Sequence, residues 1–391
     1  MNERDKKRVD QYNDDLVAFA QRLVRIRSYS DAEGELADAI VDEMKALGYD
    51  EVFVDVVGNV VGRMGNRGKC ILFDSHMDTV EVQDAKEWKV PPFSGEIIDG
   101  RLWGRGSVDM KSALVASVYA GAAAKGLGLT ENKTVYVTCS VCEEFCDGEN
   151  IKHLFKNHNL KPDHVVICEP SDNIITLGHK GKAQIRIKTK GVSAHGSAPE
   201  KGINAVYEMA EIINRVECLN KMLFSAGEPH GTVVLSDISC VSASLNAVPS
   251  ECAIYLDRRM VLGETEEDIK REMDGLVEGK DAVWEIGTLH RKSYTGAALC
   301  YEPMHRAWKI DEDHPLTKAC NTAYENVFGA APTSYDFWDF GTNAVTPVSL
   351  GIPTIGFGPG EYKLVHMRDE NCAVDKIKEA CLFYTAVIEA I

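Results

Sequence analysis

No run of apolar residues in this chain approaches the roughly 20 that a membrane-spanning helix needs, so no transmembrane segment is expected. The opening stretch "MNERDKKRVDQYNDD" is charged and has no apolar h-region, so no secretory signal is expected either. An excess of basic residues is also missing. Lys and Arg number 43 against 60 Asp and Glu, a net charge of −17. So acidic a chain repels phosphate backbones, which argues against nucleic acid as a partner and leaves acids free to bind cations. "CSVC", Cys139 to Cys142, lacks the second such motif that a structural zinc site would need. "GFGPG" lacks the Lys-Ser/Thr that would follow in a phosphate cradle. No internal repeat or low-complexity segment is evident.

What is present is a large core. The 391 residues are 45% hydrophobic, enough for two domains or one large one. Cysteine is abundant, at 12. Most sit inside apolar runs (Cys70, Cys139, Cys168, Cys240, Cys252), where they act as small hydrophobes. With no secretory signal, reduced thiols in a cytoplasm are the expectation.

Residues Asp14 to Leu47 carry apolar positions at helical spacing, with Gly48 as a C-cap. "YDEVFVDVVGNVVGRM" alternates like a strand pair turning at Gly58-Asn59. "KCILFDSHMD", "KTVYVTCSVCEE" and "DHVVICEP" are apolar strands that each end in acids or histidine, with the small-residue helix "DMKSALVASVYAGAAAKGL" between the first two. Strands alternating with helices predict an α/β domain with a mostly parallel sheet flanked by helices. Such sheets collect ligands beyond the carboxyl ends of their strands. From "GKAQIRIKTKG" the order becomes strand-helix-strand-strand-helix-strand, a compact α+β unit. After "DEDHPLTKACNTAYENVF" the first pattern resumes. We therefore expect a discontinuous domain, 1–179 and 296–391, with a second domain, 180–295, inserted into it.

Candidate chemistry gathers at those strand ends: His76, Asp109, Glu144, Glu169 and His366. Neutral imidazole and carboxylate are good ligands for zinc and similar ions. Two ions about 3.5–4 Å apart usually share a carboxylate. Taken singly, each residue has a plainer reading, such as a helix N-cap or a capped turn. Asp78, two residues from His76, can accept the other ring N–H and fix the tautomer. Glu143 and Glu144 are adjacent acids, which repel unless one binds metal and the other shares a proton. That split yields one ligand and one general base.

With those motifs in order, the chain resembles the co-catalytic zinc exopeptidases and amidohydrolases. These include glutamate carboxypeptidase, acetylornithine deacetylase and succinyl-diaminopimelate desuccinylase. "SHMDTV", "GRGSVDMK", "CEE" and "LVHMRDE" look like the family's metal-site segments, and the likeness spans nearly the whole chain. The resemblance implies two divalent ions, most often Zn2+ with Co2+ or Mn2+ able to substitute. Asp109 would bridge them. His76 and Glu169 would complete one ion, Glu144 and His366 the other. Asp78 would orient His76, Glu143 would be the general base, and the Asp109–Met110 bond would be cis.

The inserted domain fits the same resemblance as a lid and dimerisation domain. "GVSAHGSAPEKGINA" looks like the segment whose histidine, here His195, polarises the scissile carbonyl, often across a homodimer. "SLNAVPSECAIYLDRR" looks like the segment supplying Asn246 and Arg258 to a substrate carboxylate, with Arg259 the neighbouring alternative. "FGTNA" and "GFGPGE" resemble pocket loops, so Gly341, Thr342 and Gly358 would touch substrate. Two positions depart from the family pattern: Cys142 stands where an acid or small polar residue is usual, and Ser112 where glycine is. Glu169 rather than aspartate points toward amino-acid deacylases. The implied activity is hydrolysis of an N-acyl or N-carbamoyl amino acid, with dipeptidase or carboxypeptidase as the alternative. A non-catalytic binding module should have lost ligands, and none is lost. A cysteine hydrolase would ignore chelators.

Overall fold

The computed structural model describes residues 1–158 and 160–391. Its main sheet has nine strands. The strand Lys69–His76 lies at its centre because Ile71, Leu72 and Phe73 are buried on both faces. It pairs in parallel with Lys133–Ser140 on one side and His164–Ile167 on the other, and Thr354–Gly356 continues the parallel set. Antiparallel strands finish the edges: the hairpin Glu51–Val54 with Val60–Met64 at one end, Thr176–His179 with Trp308–Lys309 at the other. Asp55 builds the hairpin turn, its Oδ1 accepting the N–H groups of Val57, Gly58 and Asn59.

The helix Lys111–Gly126 is buried almost all round, and its run of Ala, Ser and Gly allows that. It packs between the sheet and the helix Val374–Ala390, which also belongs to the first core. The helix Gly34–Ala46 ends as the sequence predicts, with Gly48 at φ +74°.

A second core has its own sheet. Its strands run Thr232–Val241, Glu251–Met260, Gly181–Lys190, Ala282–Ile286, all antiparallel. The helices Ala205–Ser225 and Glu266–Val277 supply its apolar side. Thr265 and Asp268 cap the latter reciprocally. The chain leaves the first core at His179 and starts back where Met304–His305 pairs with Ala183 and Lys182. Between these points the hairpin Leu289–Lys292 with Ala298–Tyr301 packs on the first core, with Tyr294 donating to Gly58 O. Among the described residues no helix is long and apolar enough to cross a membrane, and the 12 cysteines are free.

Candidate metal centre and its cavity

Three neighbouring parallel strands deliver the cluster. Lys69–His76 ends on His76, Lys133–Ser140 leads into Glu143 and Glu144, and His164–Ile167 leads to Glu169. Asp109 arrives just ahead of the helix Lys111–Gly126, across a cis bond to Met110. His366, at φ +59°, comes from a loop near the end of the chain.

Asp109 stands between the two imidazoles. Its Oδ1 is 2.8 Å from His76 Nε2 and its Oδ2 is 3.2 Å from His366 Nε2. His76 Nε2 is also 3.7 Å from Glu169 Oε1, and His366 Nε2 is 3.0 Å from Glu144 Oε2. Potential ligand atoms of His76, Asp109 and Glu144, and separately of His76, Glu143 and Glu169, lie within 4.8 Å of one another.

The electrostatics follow from burial. Desolvation raises the Glu143 carboxyl well above its usual range, with the neighbouring Glu169 charge adding to it. Glu169 and Glu144 are raised for the same first reason. Burial opposes charge on Asp109 too, but hydrogen bonds from His366 and His76 win and hold it low. Burial alone would lower His366, yet its bonds to Asp109 and Glu144 push it up to about 10. The carboxylates thus favour positive charge at the two ring nitrogens that point into the cluster. Among the described residues, Glu143 Oε1 is buried without a partner. Two imidazoles among four converging acids, one with an orphaned oxygen, suit divalent ions.

Asp78 acts differently from expectation. His76 Nδ1 is 2.9 Å from the backbone oxygen of Asp78 and 3.5 Å from its carboxylate Oδ1. The carboxylate instead accepts the N–H groups of Glu143 at 3.0 Å and Glu144 at 3.2 Å, and the Ser30 hydroxyl at 2.6 Å. It holds the turn that carries both acids, while its backbone aims the histidine.

The cluster opens into a cavity of about 510 Å³. Gly341 is in its wall, and a Cβ there would sit 2.4 Å from Asp147 Oδ2. Arg258 is a correction. Strand alternation turns it into the second core, fully buried and bonded to Glu264 and Glu272. Arg259, on the opposite face, lines the cavity. Thr342 and Gly358 are corrections as well. Thr342 is buried with its Oγ1 accepting the Ala344 N–H, away from the cavity wall. Gly358 lies against backbone, where a Cβ would meet Cys168 O at 2.3 Å and Glu169 O at 2.4 Å. His195 and Asn246 share one exposed loop pair, joined by Gly196 N–H to Asn246 O at 2.6 Å. Neither reaches the cavity wall.

Two supporting pairs escaped the sequence reading. Buried Glu370 accepts the N–H groups of Val108 and Asp109 through Oε1, and its Oε2 is 2.6 Å from Arg105. Arg105 also donates to the carbonyls of His366 and Met367. The pair ties the Asp109 turn to the His366 loop. Both lie inside motifs already quoted, "GRGSVDMK" and "LVHMRDE", where their charge was the available signal. The other pair, Asp147 with Lys182, left no motif to find.

The sequence profile of peptidase family M20/M25/M40 matches residues 72–390. The chain is 36% identical over 380 residues to the protein YgeY of Escherichia coli (strain K12), spanning 96% of this chain and 94% of that one. It is 25% identical over 404 residues to succinyl-diaminopimelate desuccinylase of Rhodospirillum centenum, spanning 96% and 97%. Among solved structures, aminopeptidase PepT from Bacillus cereus superposes with a TM-score of 0.72 at 20% identity, over 97% of this chain and 98% of that one.

Proposed function

The chain belongs to peptidase family M20/M25/M40, metallohydrolases acting on C–N bonds, and from that premise we propose that it cleaves the amide bond of an N-acyl or N-carbamoyl amino acid. The observation carrying this reading is Asp109 held between His76 at 2.8 Å and His366 at 3.2 Å, beside the partnerless oxygen of Glu143. His76, Asp109, Glu144, Glu169 and His366 would hold two divalent ions, zinc first. The chemistry those ions supply when bound is acidification of water and polarisation of a carbonyl.

The protein's own groups do the rest. Glu143, its proton affinity raised by burial, takes a proton from the attacking water and gives it to the departing nitrogen. Asp78 keeps Glu143 and Glu144 on one rigid turn. Arg259 binds the substrate carboxylate in place of Arg258, a task suited to a guanidinium. His195 joins the site when the unit around the second core closes over the cavity, or from a second copy docked there. Exposed Tyr207, Met222 and Phe224 on that unit's long helix and Ile238 on its edge strand support homodimer formation through it.

The test is a metal-reconstituted activity panel over acetyl, succinyl and carbamoyl amino acids and dipeptides. Turnover of the first three, abolished by chelator, is the expected result. Turnover of dipeptides alone would replace this reading with an exopeptidase.

A further inference from the structure

Across the sheet of the second core, three basic side chains stand in one row. Arg259 lies opposite Lys182, and Lys182 lies opposite His305, in antiparallel register. Directly opposed residues share a face, with Cβ atoms about 4.5–5.5 Å apart. Arg259 and Lys182 therefore bring two positive charges close together, and both line the cavity. On its own such a pairing is destabilising.

Each cation has a carboxylate. Arg259 Nε is 2.7 Å from Asp257 Oδ1, and Lys182 Nζ is 2.6 Å from Asp147 Oδ2. Asp147 is more than a counter-ion. The same buried Oδ2 accepts the Tyr301 hydroxyl at 3.2 Å and faces His305 Nε2 at 3.2 Å. Three partners on one oxygen fix the carboxylate, and through it the ammonium. Lys182 is almost wholly buried, its side chain 10% exposed. An ammonium has three N–H groups. Asp147 is the one acceptor found for Lys182 among the described residues, so donors remain for whatever fills the cavity. Lys363 adds a third cation to the wall, while Asp257 and Glu361, the partners of Arg259 and Lys363, lie outside it. Beyond the acid cluster the wall thus carries three cations, Arg259, Lys182 and Lys363, and one carboxylate, Asp147; each cation already has one carboxylate partner.

We infer that Lys182 is a specificity-determining residue that binds a second anionic group, so that the preferred substrates are N-acyl or N-carbamoyl derivatives of dicarboxylic amino acids. Asp147 is its positioning residue. The inference rests on the amino-acid deacylase reading above, in which Arg259 takes the carboxylate common to all such substrates. Lys182 takes the carboxylate of the side chain.

The test uses the full-length, metal-reconstituted enzyme and matched pairs: N-acetylglutamate against N-acetylglutamine, N-acetylaspartate against N-acetylasparagine, and their carbamoyl counterparts. Each pair differs in charge and hardly in shape. Wild type should favour the acid by about ten- to hundredfold in kcat/KM, the range of a charge-assisted hydrogen bond. Lys182→Met should bring that ratio near one, mostly through KM, and Lys182→Arg should restore part of it. Asp147→Asn should lower the ratio by loosening the ammonium. A structural role alone would reduce acid and amide turnover alike. Equal rates on acid and amide by wild type, or an unchanged ratio in Lys182→Met, would overturn the inference while leaving the deacylase reading intact. If no acyl or carbamoyl amino acid is cleaved at all, the deacylase reading falls and this inference with it.

Discussion

Glu143 can be removed without loosening the turn that carries it, because the turn hangs from backbone N–H groups on Asp78. Glu143→Ala should therefore lose more than a hundredfold in kcat and keep its metal, as measured by kinetics beside metal analysis. Near-wild-type turnover would sink the assignment of the base. Arg258 and Arg259 should separate cleanly. Arg258→Met leaves Glu264 and Glu272 facing a buried gap and should cost about 3 kcal/mol in urea unfolding. Arg259→Met should raise KM severalfold with the unfolding midpoint little changed. The reverse pattern would restore Arg258 as the substrate contact. Strand alternation makes it legible that these neighbours face opposite ways. Which one faces inward was not, because that depends on the helix Glu266–Val277 bringing Glu272 alongside. Likewise the spacing of His76 and Asp78 signalled a partnership but could not say whether backbone or side chain would meet the ring.

Strands here carry more than the acid cluster. His179 closes the strand Thr176–His179 in full burial, giving its Nδ1 proton to Lys180 O while Nε2 has no partner among the described residues. Burial, with the nearby His305, pushes its pKa from 6.5 down to about 3. Above pH 6.5 the ring is neutral folded or unfolded and adds no pH dependence. Below it, the unfolded chain binds a proton that the folded chain refuses. Stability then falls by about 1.4 kcal/mol per pH unit toward pH 3. Between pH 7 and pH 5, wild type should lose more stability than His179→Gln in urea titrations; parallel losses would dismiss the histidine as the cause. The strands that supply the site were legible because each is an apolar run ending abruptly in charge. The hairpin Leu289–Tyr301 was harder to place. Its short, half-polar strands lie against the first core because Tyr294 finds the open surface of Gly58, a contact 236 residues away in sequence.

At the scale of the whole molecule, the acid cluster sets a balance between folding and cation binding. Four carboxylates, three of them buried, converge beside His76 and His366. Chelation should lower the melting temperature by several degrees, and Zn2+ at a thousandfold over its Kd should return about 4 kcal/mol. An unchanged melting curve would mean that no ion is held there. The α/β order could be read from the sequence. The row linking Arg259, Lys182 and His305 could not, since it exists only once strands from distant parts of the chain fall into register.

Glu370 adds a dimension of time. It grips the Asp109 turn across 261 residues, and His366 comes from the same late segment. Synthesis proceeds from the N-terminus, and domains tend to fold as they emerge. The carboxylate cluster of a nascent chain therefore stays open-sided until residues 366 to 370 have emerged. Any ion that needs His366 would then be captured only after that segment has emerged. A chain stopped at residue 360 should retain less metal through gel filtration than the 391-residue chain; equal occupancy would refute that order of assembly.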